Sequence, residues 1–332
     1  MTQLHKFPSI EQFRHVVKYV KKYGTHPNGM VDEIIAYRGT VKLHGSNGGV
    51  VITPDGDVYA QSRNNVLTLE SDNAGFAAFV NDRANKFKWF TIVNHDVVVY
   101  GEWCGGNIQK GVGINGLEKM FVIFDAVCID ADGHSTNIFE DIVDEFRISF
   151  KDYNDENIYC STQFPFFNLN IDFNNPEQYV ENMTAITQEV ENECPVANFF
   201  GQKGIGEGVV WTPIYVPEKL SRSQMRFKVK GEKHSVSKVK TLIPLTPEQI
   251  AEKNKISSFV DSVVTENRVK QAMVEVDAKS EKQTGDVIRW VFNDIIKEEY
   301  DTMEANSIEK KDIGKVVSTK ARTIFFGILN DE

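Results

Sequence analysis

The sequence has few cysteines and no long apolar run, and each absence excludes a class of protein. Its 332 residues include four cysteines, which are far apart and form no C-x-x-C pair: Cys104, Cys128, Cys160 and Cys194. This spacing argues against a zinc site and against a disulfide framework, so a reducing cytosol is the expected location. No apolar run reaches the length of a membrane span, and the N-terminus lacks the apolar core of a signal peptide. We therefore expect a cytoplasmic globular protein without membrane attachment.

An excess of positive charge is also missing, because the formal net charge is −10. Such a charge disfavours a protein that coats nucleic acid through bulk attraction. The distribution is uneven, however: residues 219–240 hold eight Lys or Arg and one acid, while residues 130–195 are rich in Asp and Glu. A basic groove on an acidic body would suit specific phosphate binding, although a charge run is more often a solvated face.

The apolar pattern divides the chain into a β-rich part and a helical part. Residues 9–22 have helical spacing, with Ser9 as the expected cap, and strands with turns follow from Gly39. The pattern predicts strands at 40–43, 49–52, 57–63, 96–103, 119–130, 206–216 and 225–230, with a tight hairpin at 54–56. Residues 139–195 mix helical patterns with polar loops and allow no firm assignment.

Helical spacing continues from Lys240 to the end of the sequence. Thr246, followed by a proline and by Gln249, has the pattern of a capping box that begins the first of these helices. The sequence therefore predicts an α+β protein with a β-rich domain over residues 1–240 and an all-helical domain over residues 241–332.

Lys42 stands out because it ends a β-like run and enters the glycine-rich stretch KLHGSNGG. The pattern K-x-x-G by itself has little value, since it occurs seven times in this chain. A lysine at a rigid strand end, beside backbone that can approach phosphate closely, is suited to nucleophilic chemistry. The alternative is that Lys42 only stabilises the fold.

Four further segments carry charged residues on or beside predicted strands. Arg63 lies at the exit of one strand, Glu102 comes directly after an apolar run and Glu207 begins another such strand. Lys228 and Lys230 share one face of a strand. A buried acid is costly unless it is paired or binds a metal, and two neighbouring lysines favour an anion between them. These residues therefore suit a polyphosphate with a divalent metal. Nearby cations are expected to lower the pKa of Lys42 and to free some neutral amine.

The ordered series KLHGSN, SRN, GEWCGG, VIFD, GEGVVW and KVK resembles the covalent nucleotidyltransferases. Within them it is most similar to the RNA ligase 2 type, which includes phage RNA ligases and kinetoplastid RNA-editing ligases. The matching segments run from Lys42 to Lys230, and the helical tail is also typical of this type. The resemblance implies an N-terminal nucleotidyltransferase domain of ATP-grasp-like antiparallel sheets with flanking helices, followed by a small all-α domain that engages RNA.

The resemblance also implies the catalytic residues. Lys42 would attack the α-phosphate of ATP to form lysyl-AMP, and Lys228 and Lys230 would hold that phosphate and offset its charge. Glu207 would serve a metal ion, Mg²⁺ or Mn²⁺, and Glu102 would bind the ribose region or the metal through water. His44 matches the motif and is expected near the reacting phosphate.

The nucleotide-binding residues implied by the resemblance surround this lysine. Phe124 would stack on the adenine, while Val41 and Leu43 would enclose its other face and edge. Asn47 and Arg63 would contact the ribose and the phosphate side. The residue before the nucleophile is often acidic in this family, whereas Val41 stands there in this chain.

The function expected from these residues is ATP-dependent sealing of 3′-OH and 5′-phosphate ends by a monomer. The expected partner is duplex or nicked RNA, or an RNA–DNA hybrid, and residues 219–240 would contact its phosphates. Three alternatives remain open: the same core could serve a DNA ligase or a GTP-dependent capping enzyme, the pocket could bind nucleotide without catalysis, or the motifs could have arisen by chance.

Overall fold

The chain folds into two compact units, Met1–Gly231 and Glu232–Glu332. The structure, a computed structural model, describes residues 3–25, 31, 34–234 and 252–331, without the side chains of 145–151, 252–255 and 331. The boundary predicted at residue 240, and the capping box predicted at Thr246, lie outside the described residues.

Two β-sheets form the framework of the first unit. The five-stranded sheet has the order β1-β11-β10-β2-β9; the six-stranded sheet has the order β4-β3-β5-β6-β7, with β8 also paired to β6. Neighbouring strands are antiparallel except in the pairs β1–β11 and β6–β8. The strands are β1 Glu11–Gln12, β2 Ile34–Val41, β3 Ser46–Ile52, β4 Val58–Ser62, β5 Asp96–Cys104, β6 Met120–Ile129, β7 Ser135–Asn137, β8 Ile158–Cys160, β9 Phe166–Asp172, β10 Gly208–Pro213 and β11 Phe227–Lys230.

Helices flank both sheets, as expected for the predicted fold class. Those of the first unit are α1 Phe13–Tyr23, α2 Phe76–Asp82, α3 Ala84–Phe87, α4 Phe139–Asn154, α5 Val180–Asn192, α6 Pro195–Phe199 and α7 Arg222–Met225. Helices α1 and α5 contribute to the core of the five-stranded sheet, and α2 and α4 to that of the six-stranded sheet. The α+β class with antiparallel sheets is thus confirmed.

Alternation along β2 explains how one sheet has both a core face and an open face. Ile35, Tyr37 and Val41 are buried, whereas Arg38 and Thr40 between them are only partly buried. Successive strand residues point to opposite faces, so one face joins the hydrophobic core and the other remains available to a ligand. Lys42 follows directly after the last of these residues.

Helices are the only regular secondary structure among the described residues of the second unit. Its helices are α8 Glu252–Val263, α9 Glu266–Glu275, α10 Thr284–Glu298, α11 Tyr300–Ala305 and α12 Lys310–Asp331. They surround a separate core that includes Val269, Val291 and Phe325. Among the helices described, none is both long enough and apolar enough to cross a bilayer.

Three local features of the structure were not predicted from the sequence. Helix α1 begins at Phe13, after Gln12, because Glu11 and Gln12 pair with β11 instead of extending the helix to Ser9. The hairpin predicted at residues 54–56 is present between β3 and β4, and β3 begins at Ser46, three residues before the start predicted at Gly49. The unassigned stretch 139–195 contains β9, which pairs with β2 along seven residues.

Candidate functional site

Lys42 lies where β2 meets the first residues of β10. Its backbone N–H donates to the carbonyl of Gly208 (2.8 Å), and its ammonium donates to Glu207 Oε2 (2.7 Å). The two side chains are 165 residues apart in sequence, and the antiparallel register of β2 and β10 brings them together. Because both backbones are held by the sheet, the ammonium group has a defined position.

Glu207 is shared by two lysines. Its other oxygen, Oε1, lies 3.1 Å from Lys230 Nζ, and its side chain is 4% exposed, against 21% for Lys42 and 16% for Lys230. Burial raises the pKa of Glu207, but the attraction of Lys42, Lys230 and His44 outweighs it and brings that pKa far below its usual range. Glu207 is therefore a permanent anion between two cations.

The pKa of Lys42 is shifted upward, opposite to the sequence-based prediction. Burial lowers this pKa and Arg63 lowers it further, yet the attraction of Glu207 and Glu102 is stronger, so the net shift is a rise. The prediction considered only the neighbouring cations, whereas the sheet register places a carboxylate nearer. Lys42 is therefore an ammonium in this structure.

The pKa of Lys230 is shifted downward, opposite to that of Lys42. Burial lowers its pKa, the attraction of Glu207 raises it, and Lys42 and Lys228 lower it again, so that the net shift is downward. Lys228 points to the same side of β11 as Lys230 and is partly buried. Lys42 and Lys228 thus both lie close enough to Lys230 to lower its pKa, and the repulsion among the three cations favours binding of an anion beside them.

Glu102 belongs to the six-stranded sheet and lies opposite Asn47 in the pairing of β5 with β3. Its Oε1 accepts a hydrogen bond from the backbone N–H of Gly45 (3.0 Å), which anchors the loop after Lys42. Burial raises the pKa of Glu102 to about 7; Lys42 and Arg63 oppose this rise, and the negative charge of Glu207 adds to it. Glu102 therefore carries a proton part of the time near neutral pH.

Gly45 and Gly48 are needed for close packing around this loop. A Cβ on Gly45 would lie 2.4 Å from the carbonyl oxygen of Trp103, and one on Gly48 would lie 2.7 Å from the Phe76 ring. The glycines of KLHGSNGG therefore let the backbone approach β5 and α2.

Phe124 lies at an irregularity in the pairing of β5 with β6. Tyr100 pairs with Asp125 while Gly101 pairs with Ile123, so Phe124 has no counterpart on β5. Such a bulge changes the direction in which a side chain points. Phe124 is partly exposed on the sheet face that also carries Glu102.

The remaining predicted contacts differ in exposure. Val41 and Leu43 are each 8% exposed and lie in the same hydrophobic cluster as Val122, two residues before Phe124, so little of either side chain is open to a ligand. Arg63 is exposed directly after β4 and lies near enough to Lys42 to affect its pKa. Asn47 is partly buried beside Glu102.

The sequence interpretation missed a buried ion pair between the sheets. Arg226 Nη2 lies 2.6 Å from Asp125 Oδ2, and the side chains are 5% and 8% exposed. Arg226 Nε also donates to Thr212 Oγ1 (3.2 Å), while Asp125 accepts from Asn137 (2.7 Å). The sequence did contain a signal of this ion pair, because Asp125 interrupts an apolar strand and Arg226 directly precedes another strand. Arg226 is thus committed to Asp125 and is not among the surface cations expected in residues 219–240.

Glu102 and Glu207 are suited to a divalent cation. They lie close enough for the charge of Glu207 to raise the pKa of Glu102, so a cation near them would relieve this repulsion. Mg²⁺ prefers oxygen ligands, keeps several waters and is held by one or two carboxylates together with substrate phosphates. The residues present therefore fit such an ion, bound directly or through water.

The sequence model of the RNA ligase family matches residues 36–230, which is more than half of the chain. No curated protein matches the sequence. Among solved structures, a variant of Naegleria gruberi RNA ligase with ATP and Mn is 18% identical, with a TM-score of 0.44 over 69% of this chain and 57% of that one. The same ligase with PPi is 19% identical, with a TM-score of 0.45 over 69% and 56%. The chain thus spans a little over half the length of the matched ligase.

Proposed function

This chain belongs to the RNA ligase family, and from that premise we propose that it is an ATP-dependent RNA ligase. It would seal 3′-OH and 5′-phosphate ends, in duplex or nicked RNA, through lysyl-AMP on Lys42. The observation that carries the proposal is the convergence of Lys42, Lys230 and Glu207 within hydrogen-bonding distance, with Glu102 close by.

The first step would load AMP on the protein. The Lys42 nitrogen would form a bond to the α-phosphorus of ATP as the bond between that phosphorus and the bridging oxygen breaks, releasing pyrophosphate. Lys42 must first lose a proton, and Glu207 is a poor acceptor because its pKa is far below normal. We assign Glu207 the task of orienting the amine, and the proton passes to solvent.

The cations would act on charge that develops at phosphorus. Lys228 and Lys230 lie on β11, which β10 separates from β2, and Glu207 contacts both Lys42 and Lys230. Fixed cations at this position would stabilise the transition state. A divalent metal near Glu102 and Glu207 would supply further charge neutralisation. Phe124 would stack on the adenine, and Asn47 and Arg63 would contact the sugar and phosphates.

Two further steps would complete the ligation. AMP would pass from Lys42 to the 5′-phosphate of the nicked strand, which creates a good leaving group. The 3′-hydroxyl would then attack that phosphate and displace AMP. RNA would be held through phosphate contacts, so its affinity should fall as salt rises.

The test is covalent labelling with ATP or GTP that carries a labelled α-phosphate, in Mg²⁺, after pyrophosphate treatment to remove any AMP already bound. Lys42→Arg keeps the positive charge facing Glu207 but not the nucleophile, and we expect it to abolish labelling. Lys110→Arg is the matched control, because Lys110 also begins a K-x-x-G pattern and is exposed. Labelling by ATP in the wild type and Lys110→Arg, and not in Lys42→Arg, supports the first step; labelling retained in Lys42→Arg contradicts it.

Substrate class is tested with the labelled protein. The protein is offered a set of nicked duplexes in turn. They carry RNA or DNA at the 3′-OH side, at the 5′-phosphate side or at both. Sealing of nicks that have RNA ends supports the proposed ligase, whereas sealing of DNA nicks alone would identify a DNA ligase. Labelling by GTP alone would instead favour a capping enzyme.

A further inference from the structure

Residues 3–12 form an extended segment that lies outside the part of the chain matched by the RNA ligase family model, 36–230. This segment, termed the N-terminal strap, contacts both sheets beside Phe124. We propose that the strap is a positioning element for base binding, in which Phe7 holds the Phe124 ring ready to stack on adenine. The inference rests on the proposed function, because that function supplies the nucleotide.

The strap is attached to the six-stranded sheet by side chains. Gln61 on β4 accepts from the N–H of His5 (3.0 Å) and donates to its carbonyl, and the Tyr100 hydroxyl donates to the same carbonyl (3.1 Å). Tyr59 bonds to both backbone groups of Gln3, at 3.1 and 2.9 Å. These bonds hold the strap in one register, although it forms no β-ladder with β4 or β5.

The other end of the strap joins the five-stranded sheet. The N–H of Glu11 donates to the carbonyl of Arg226 (3.1 Å), and Glu11 and Gln12 pair in parallel with Phe227 and Lys228. The strap therefore connects β4, which carries Gln61, to β11, which carries Lys228 and Lys230.

Phe7 occupies the centre of the strap. Its ring centroid lies 5.0 Å from that of Tyr100 and 5.0 Å from that of Phe124, with an interplanar angle of 67° to Phe124. The Arg226 guanidinium lies 4.9 Å from the Phe7 ring centroid and is fixed by Asp125. Edge-to-face contact of this kind is favourable beyond the area that it buries.

The bulge explains why Phe124 needs such support. A strand residue is normally oriented by the residue opposite on the neighbouring strand, and Phe124 has no such partner on β5. Phe7 supplies a ring in its place. Because Phe7 is only 5% exposed, it has almost no surface for a nucleotide, so its effect must pass through Phe124.

The test compares ATP with a ligand that has phosphates but no base. Phe7→Leu removes the ring, Phe7→Tyr keeps it, and Phe90→Leu is the matched control, because Phe90 is similarly buried but stacks on Tyr153 in another cluster. For each variant, KM for ATP and kcat are measured in the exchange of labelled pyrophosphate into ATP, which forms and reverses lysyl-AMP continuously, with inorganic tripolyphosphate as competitive inhibitor.

We expect Phe7→Leu to raise KM for ATP by roughly three- to tenfold, the effect typical of an aromatic pair. The kcat value and the inhibition constant of tripolyphosphate should stay within about twofold, because neither depends on the base. Phe7→Tyr and Phe90→Leu should keep the wild-type KM. Should Phe7→Leu fail to fold, Phe7→Met provides the same comparison.

Several results would overturn the inference. They are an unchanged KM in Phe7→Leu, an equal weakening of ATP and tripolyphosphate, or a similar rise in Phe90→Leu. Failure of the proposed function is distinguishable, because the wild-type protein would then show no ATP-dependent labelling at all, and that result would overturn both proposals.

Discussion

The two units each contain a cluster of charged side chains, and the clusters are built in opposite ways. In the first unit one carboxylate, Glu207, lies between Lys42 and Lys230, whose side chains are 21% and 16% exposed. In the second unit Arg268 is fully buried and contacts two carboxylates, those of Asp294 (2.9 Å) and Glu299 (3.4 Å). The first cluster has an excess of cations near solvent, while the second surrounds its cation completely.

The difference shows which buried charges are suited to chemistry. Arginine keeps its charge at all relevant pH values and uses several donors at once; Arg268 also donates to the carbonyl of Val263 (2.6 Å). Lysine is a point charge whose pKa responds to its surroundings, as the opposite shifts of Lys42 and Lys230 illustrate. A satisfied arginine stabilises a helical core, whereas partly exposed lysines beside one carboxylate can accept a phosphate and react with it.

The largest expected effect comes from breaking the helical cluster. Arg268→Met leaves Asp294 and Glu299 without the arginine, and removal of one partner from a buried pair typically costs about 3–5 kcal/mol. Hydrogen exchange of α9 and α10 would measure this loss, with Lys270→Ala as control, since the exposed Lys270–Glu266 pair should contribute less than about 1 kcal/mol. If the cluster is purely structural, labelling of Lys42 continues in both variants. Equal stability of Arg268→Met and the wild type would contradict the comparison.

Breaking the cluster of Lys42, Glu207 and Lys230 should impair the proposed chemistry more than folding. Glu207→Gln keeps the size of the side chain but removes the charge that orients Lys42, and we expect lysyl-AMP formation to slow by about a hundredfold. Because Glu207 makes the largest upward contribution to the pKa of Lys42, the rise of rate with pH should also move to lower pH. Single-turnover labelling across pH 6–9 measures both effects. If the labelling rate and its dependence on pH stay close to those of the wild type, Glu207 has only a structural role, as Arg268 has.

A smaller effect concerns Glu102, whose pKa is raised to about 7 from a usual value of 4.5. Between these values the folded protein holds a proton that the unfolded chain has released, so this contribution to stability is lost as pH rises toward 7. Glu102→Gln has no charge to bury, and we expect it to be more stable than the ligand-free wild type at pH 8, by about 1–3 kcal/mol, and nearly equal at pH 4.5.

Thermal unfolding at the two pH values checks this prediction. Glu304→Gln, at an exposed position of the helical unit, serves as the control and should show no such pH dependence. The prediction fails if Glu102→Gln gains no stability at pH 8 relative to its value at pH 4.5.

Strand alternation and motif order were sufficient to predict much of the fold. The apolar patterns around β5, β6, β10 and β11 are local, and short-range periodicity determines which face of a strand is buried. β9 was missed although its residues alternate between apolar and polar, because the stretch around it mixes helical patterns with polar loops and its partner β2 lies more than a hundred residues earlier. The start of α1 was misplaced for a similar reason, since pairing with β11 outweighed local capping at Ser9.

The sequence by itself determined that Lys42, Glu102, Glu207, Lys228 and Lys230 occur in the order of an RNA ligase, because motif order is a property of the chain. Only the tertiary structure decided which charges meet. It paired Lys42 with Glu207, reversed the expected pKa shift, joined Arg226 to Asp125 and placed Phe7 against Phe124. These outcomes depend on distance and burial between strands remote in sequence, and Coulomb attraction and desolvation are functions of position in space.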